Sequence, residues 1–186
     1  LISESEKEKA LNYLSKFSKL IRLVLQKSDK QSNSIAVELS MLSYYLELEA
    51  LRFVNKFTYH FDVALNINKE STFIPSMLLQ PYVENAVIHG LLNKTSPGHL
   101  EIKLEDIDNR IVCTVVDNGI GRRNSSLINQ AKLKHHESLG MKVTEERIHM
   151  IENSTHQRVE IDIIDLEDSQ GNATGTKVMI KIPIEL

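Results

Sequence analysis

From residue 4 to 26 the apolar positions Ala10, Leu14, Phe17, Ile21 and Val24 recur at three- and four-residue steps, and Lys9, Lys16, Lys19 and Arg22 fill the opposite side. That period is an amphipathic helix. The polar run 27–34 interrupts it, and Ser34 has the chemistry of an N-cap for a second helix over 35–53. In this second helix Leu39, Leu42, Leu46 and Phe53 make one stripe, which Met41, Tyr45 and Leu48 widen. So broad a face implies two partners, one inside the chain and one outside it. At Phe57 the period changes to two, with Phe57, Tyr59, Phe61, Val63 and Leu65 on one face of a strand. Pro75 is read as the start of a short helix and Pro81 as the start of another, reaching about residue 92, because proline is tolerated at a first helical position.

Beyond the turn signal Pro97-Gly98, two alternating runs predict strands over 100–106 and 110–116, joined by a tight turn at Asp108-Asn109. Residues 141–153 read as a helix, 159–166 and 176–184 as strands, and 169–175 as the turn between those strands. The polar stretch 122–137 has neither glycine nor proline and is expected to be a lid or a partly helical loop. No internal repeat is present.

Composition narrows the options. A chain of 186 residues and 21.2 kDa, 41% hydrophobic and 25% charged, fits one globular domain with a helical arm. A net charge of −3 supplies no basic field, which argues against a nucleic-acid partner. The single cysteine, Cys113, lies in an alternating run and is expected to be a small core residue in a reducing compartment. No apolar run approaches the roughly 20 residues of a membrane helix, and the N-terminal LISESEKEKA is not a signal peptide, so no direct membrane contact is expected of these residues.

Candidate chemistry gathers in short segments. Asp117 follows Val115-Val116 at a strand end, where an acceptor-only carboxylate can take a proton from an exocyclic amine, an interaction contributing about 1.5–3 kcal/mol. Gly119 and Gly121 let backbone approach a ligand ring, although Asp-Asn-Gly is equally a turn signature. Glu84 and Asn85 lie on the predicted helix, with His89 one turn on. An Asn amide oxygen suits Mg²⁺ bound jointly with phosphate oxygens, and Glu84 can orient or polarise an attacking group; alternatively all three are surface positions. Gly140, just ahead of a predicted helix, leaves N–H groups free for phosphate, while Ser138 can equally be only a cap. Lys132, Lys134, His135 and His136 are candidates for the outer phosphates or a solvated charge run. Thr176, after Gly175, can share a network with Asp117. The run 171–177 is no phosphate-binding P-loop, since Gly-Thr-Lys leads into a strand.

Taken together, LLQPYVENAVIHG, DNGIGR, SLGM and the final Gly-Thr resemble the ordered motifs of the GHKL ATPase superfamily. With ALNYLSKFSKLIR and the later TEERI, they resemble sensor histidine kinases of the LytS-like type over nearly the whole chain. The resemblance implies an α+β fold, a two-layer α/β sandwich of the Bergerat type whose mixed sheet is covered by helices on one face, preceded by an α-helical arm. It implies a helical arm over 1–54 and an ATP-binding domain over 55–186. Carried over residue by residue, it makes Glu84 and Asn85 catalytic, Asn85 the Mg²⁺ ligand, Asp117 the adenine reader, and His89, Gly119, Gly121, Gly140 and Thr176 further nucleotide contacts. The implied cofactors are ATP and Mg²⁺. The implied partners are a second copy through the arm and a response regulator, in the cytoplasm, with the full-length parent anchored in a membrane.

This sequence departs from the family in three places. Only Gly140 remains of the second glycine pair, 122–137 lacks a phenylalanine-rich segment, and none of the seven histidines follows a proline, so the Asn-Pro-His-Phe acceptor motif is missing. The acceptor histidine is therefore expected just upstream of these residues, or else was never part of the chain. An ATP-driven switch without kinase activity, or a degenerate interaction module, are the alternative functions.

Overall fold

The computed structural model describes residues 4–28, 30–54, 56–131, 144–146, 148, 149, 152, 153 and 158–184. Helices α1 (Glu4–Lys27) and α2 (Ile35–Arg52) realise the two amphipathic segments within a residue of the expected ends. They run antiparallel: Lys16 pairs with Glu47, and Lys19 lies 6.0 Å from the centre of the Tyr44 ring. Ser34 is the N-cap, with extended backbone at φ −63° and ψ 149°, but its hydroxyl makes no capping bond. It is also the last residue of a short strand, β1 (Ser32–Ser34), which the polar run had concealed.

β1 pairs antiparallel with β3 (Phe73–Pro75), so Pro75 ends a strand and does not start a helix. Proline is tolerated there because a two-stranded edge leaves its missing N–H without consequence. Pro81 behaves as expected, in the first turn of α3 (Gln80–Asn85). That helix continues to Leu91 as a π-helical segment, Ala86–Leu91, in place of the regular helix anticipated to residue 92.

The main sheet has five strands in the order β2 (Phe57–Val63), β4 (Gly98–Ile107), β5 (Arg110–Asp117), β7 (Ala173–Pro183) and β6 (Glu160–Glu167). Only β2 and β4 are parallel, so the sheet is mixed. The hairpin between β4 and β5 turns on Asp108 and Asn109 at φ 50° and 60°, the paired left-handed conformation that two-residue hairpins favour. Two strand ends differ from expectation. β2 stops at Val63, leaving Leu65 fully exposed, and β7 begins at Ala173, inside the segment read as a turn.

Register aligns the apolar positions in rows across one face: Ile102 with Val115 and Val178, Leu104 with Cys113 and Ile180. This face is covered by α2, α3 and the π segment, whose Ile35, Leu42, Leu46, Val83 and Val87 join the same cluster, as does Leu79 just ahead of α3. Cys113 is buried within it, and burial pushes its thiol up to about 12, so it is an inert packing group. The opposite face carries Glu101, Lys103, Lys177 and Lys181. A two-layer α+β sandwich with helices on one side, preceded by a helical hairpin, is the fold the motifs implied. The stretch 122–137 opens with helix α4 (Gly121–Ala131). Within 141–153, the described residues are helical.

Candidate functional site

The alternation that buries Ile111, Cys113 and Val115 also turns Asp117 to the covered face, at the end of β5. Asp117 is only 4% exposed. Its carboxylate accepts from the Gly119 N–H at 2.8 Å and from the backbone N–H and hydroxyl of Thr176, its cross-strand neighbour on β7. Burial pushes the carboxyl up to about 6, while these hydrogen bonds and the charge of Lys94 pull the other way. Above that pH the group is a buried, acceptor-only carboxylate with donors on one side and a cavity on the other.

The cavity, of about 260 Å³, lies between the α3–π rod, the sheet and α4. Its size is near the lower end of small-ligand sites, which span about 300–1,000 Å³. Asn85, His89, Asp117, Gly121 and Thr176 all line it. The sequence had proposed each of them. Asn85 and His89 share a face although α-helical hydrogen bonding gives way to π bonding between them, because four residues is close to one turn in either geometry.

Of the glycines around the cavity, Gly90 and Gly121 line it, and Gly119 lies behind Gly90, outside the lining. A Cβ on Gly119 would stand 2.6 Å from Gly90 Cα and from Asp117 Oδ1, so the π segment and the loop after β5 meet with no room for a side chain. Gly90 is the other half of that contact, and its own Cβ would lie 2.9 Å from the carboxylate. Gly121 sits at φ +75° where the chain enters α4, with Ala173 only 2.7 Å from where its Cβ would be. Asn118 fixes the loop from the other side, its Oδ1 accepting from the His99 N–H at 2.7 Å.

Glu84 does not line the cavity. Its carboxylate accepts from Gln80 Nε2 at 2.8 Å and lies near enough to α2 that its charge helps raise the Tyr45 phenol, chiefly displaced by burial. Gly140 and the loop candidates Lys132, Lys134, His135, His136 and Ser138 fall outside the described residues. Sequence reasoning had not named the apolar walls Tyr82, Val115, Ile163 and Val178, nor Gly90 and Arg122. Ile163 was hidden because it belongs to an edge strand. Arg122, at the lip, makes a two-pronged pair with Asp165 of β6, Nε to Oδ1 at 2.7 Å and Nη2 to Oδ2 at 2.8 Å. Among the described residues no group of three or more His, Cys, Asp or Glu is placed to hold a metal ion. A cation at this site would therefore depend on oxygens brought by a ligand.

Comparison with known proteins gives a consistent picture. The sequence model of the family described as "Histidine kinase" matches residues 1–57. The sensor protein LytS of Oceanobacillus iheyensis is 34% identical over 117 residues, which are 61% of this chain and 19% of that protein. The chain thus spans about a fifth of the length of this curated relative. Among solved structures, the histidine kinase domain of the Erythrobacter litoralis blue-light activated kinase EL346 superposes with a TM-score of 0.58 at 17% identity, over 92% of this chain and 75% of that one. Histidine kinase ThkA, in complex with the response regulator protein TrrA, superposes with a TM-score of 0.51 at 14% identity, over 94% of this chain and 49% of that one. These likenesses establish the fold, and no helix among the described residues is long and apolar enough to cross a membrane. With a family match on the helical arm, a LytS relative across 61% of the chain and the fold shared with histidine kinase domains, this chain is similar to the histidine kinases of the LytS-like kind.

Proposed function

We propose that the cavity binds ATP with Mg²⁺ and that the bound nucleotide is the phosphoryl donor for a histidine side chain. The observation that carries the reading is Asp117: a buried carboxylate at the rim of the covered sheet face, held by Gly119 and Thr176 and open to a cavity with apolar walls. An amino-purine fits such a place, because its exocyclic amine supplies the donor the carboxylate lacks and its ring replaces water against Val115, Ile163 and Val178. Asn85 and His89 line the same cavity from the α3–π rod and are assigned to the phosphate side, with Asn85 as a neutral oxygen ligand for the cation.

Positioning and charge neutralisation account for most of the catalysis of phosphoryl transfer. Bound Mg²⁺ supplies neutralisation of the phosphate oxygens. Asp117 and Thr176 hold the base, Gly119 and Gly121 admit its edge, and Asn85 and His89 orient the phosphate chain. Glu84 is the acidic neighbour whose proposed task is to polarise the attacking imidazole, and Gly140 is assigned backbone contacts to phosphate. The finer partners follow the same reading: a second copy of the chain through the helical arm over 1–54, a response regulator as the next acceptor, and the cytoplasm, where ATP is available, as the compartment.

The test has two stages. Titrating ATP with Mg²⁺ should raise the unfolding free energy, by about 2.7 kcal/mol at 100 times the Kd. Mixing the chain with a separate segment carrying an Asn-Pro-His-Phe motif and labelled ATP should yield acid-labile phosphohistidine on that segment. Binding with hydrolysis but no phosphohistidine would replace the kinase reading with an ATP-driven switch, and no thermal shift at all would reject the nucleotide site.

A further inference from the structure

A buried carboxylate outside the lining of the cavity ties the helical arm to the rod that carries Asn85. Glu38, in the first turn of α2, is 1% exposed. Both of its oxygens accept from one backbone N–H, that of Met77, at 3.0 Å each. Oε1 also accepts from Asn33 Nδ2 at 2.9 Å. Asn33 is itself 3% exposed, sits in β1, and turns the same amide toward the Lys27 carbonyl at the end of α1, at 3.4 Å. Met77 is held at φ 56°, in the left-handed region that a methionine seldom occupies. Leu78 and Leu79, buried in the core, follow it and lead directly into α3.

We infer that Glu38 is a positioning residue: by holding the Met77 N–H it fixes where the α3–π rod begins, and so couples the end of the arm to the placement of Asn85 and His89 in the cavity. The chain of contacts is continuous, from the Lys27 carbonyl through Asn33, the Glu38 carboxylate and the Met77 amide to the first turn of α3. Neighbouring backbone bonds stitch the same two segments together, with Ser76 N–H donating to Gln31 at 3.0 Å and Ile35 N–H donating to Thr72 at 2.9 Å. A displacement of the arm relative to the sheet is then felt first at a strained residue, and its effect is passed to the rod. The consequence for ligand affinity rests on the nucleotide reading of the cavity, whereas the mechanical link does not.

Glu38→Gln separates the two. Glutamine keeps the shape but offers one acceptor oxygen and an NH₂ group, so one donor among Met77, Asn33 and the new amide loses its partner. Amide hydrogen exchange on the 186-residue chain is expected to speed up about tenfold or more at 77–85 while β5 and β7 keep their protection, and Mg–ATP affinity to fall about tenfold. Adding Met77→Gly, which accepts φ 56° without strain, should restore most of both losses. Exchange that is unchanged, or that rises evenly over the whole sheet, would overturn the coupling, as would a loss that Met77→Gly leaves untouched. If the wild-type chain binds no ATP, the nucleotide reading fails and the exchange pattern still decides the role of Glu38. If Glu38→Gln does not fold, Asn33→Ala, which removes one of the two donors, must show the same localised acceleration in weaker form, and uniform acceleration there would reject the proposal.

Discussion

At the residue scale the chemistry turns on Asp117, whose two properties pull in opposite directions. Burial favours its neutral form, whereas the amine of an adenine favours the carboxylate. The raised carboxyl means that the folded chain binds a proton that the unfolded chain has already lost between the ordinary value of 3.8 and about 6. Its contribution to stability is therefore fully present below 3.8 and is lost as pH rises through about 6. Ligand binding has the other sign. ATP affinity should be flat near pH 7 and decline below about 6, by roughly tenfold at about pH 5, where one carboxylate in about ten remains charged. Calorimetry on the wild type and on Asp117→Asn isolates this group from the titration of the phosphates. The variant should bind about tenfold more weakly at neutral pH, a difference of about 1.4 kcal/mol, and show a flatter profile. Parallel pH profiles for the two proteins would remove the adenine assignment. Asn85→Ala has a different signature: its loss should be concentrated in titrations containing Mg²⁺, and equal losses with and without the cation would strip Asn85 of the ligand role.

At the element scale the site is a meeting of two backbones, the π segment and the loop after β5, and Gly119 is where they touch. Its φ is not left-handed, so the need for glycine is purely steric: a Cβ would stand 2.6 Å from Gly90. Gly119→Ala should destabilise the fold by about 1–3 kcal/mol through forced backbone movement, read from urea unfolding midpoints, and wild-type stability would show that the two segments can part at no cost. Periodicity explains how much of this was legible beforehand. The two-residue period of 110–116 carries Asp117 onto the face of Cys113 and Val115, and four-residue spacing carries His89 onto the face of Asn85. Three kinds of feature left no such trace. The polar strand Ser32–Ser34 is too short to have a period, and its pairing moved Pro75 from a helix start to a strand end. The contact of Gly90 with Gly119 joins segments far apart in sequence, so neither glycine announces the other. Glu38 sits between the apolar neighbours Ala36, Val37 and Leu39, which give no sign of a partner in Met77.

At the scale of the whole molecule, the helical hairpin has more apolar surface than one sheet can cover. α2 sends Ile35, Leu42 and Leu46 into the core, and α1 packs on its other side through Lys16–Glu47 and Lys19 over Tyr44. The outer side of α1 keeps Leu11, Leu14, Phe17, Ile21 and Leu25 in contact with water, at 67%, 57%, 45%, 40% and 71% exposure. Leu14 and Ile21 are one heptad apart and Leu11 and Leu25 two, so the exposed stripe runs along the helix with the repeat that lets two helices pack side by side. Burying such a stripe against its own copy removes apolar area from water at roughly 25 cal/mol per Å². Leu14→Glu combined with Ile21→Glu would place carboxylates opposite one another in that seam. Sedimentation should then show the wild-type chain associating as its concentration rises and the double variant remaining monomeric, with far-ultraviolet helicity and ATP binding retained, because neither side chain touches the core or the cavity. A wild-type chain that stays monomeric across the range, or a variant that associates equally well, would assign the stripe to another occupant and leave the cavity argument intact.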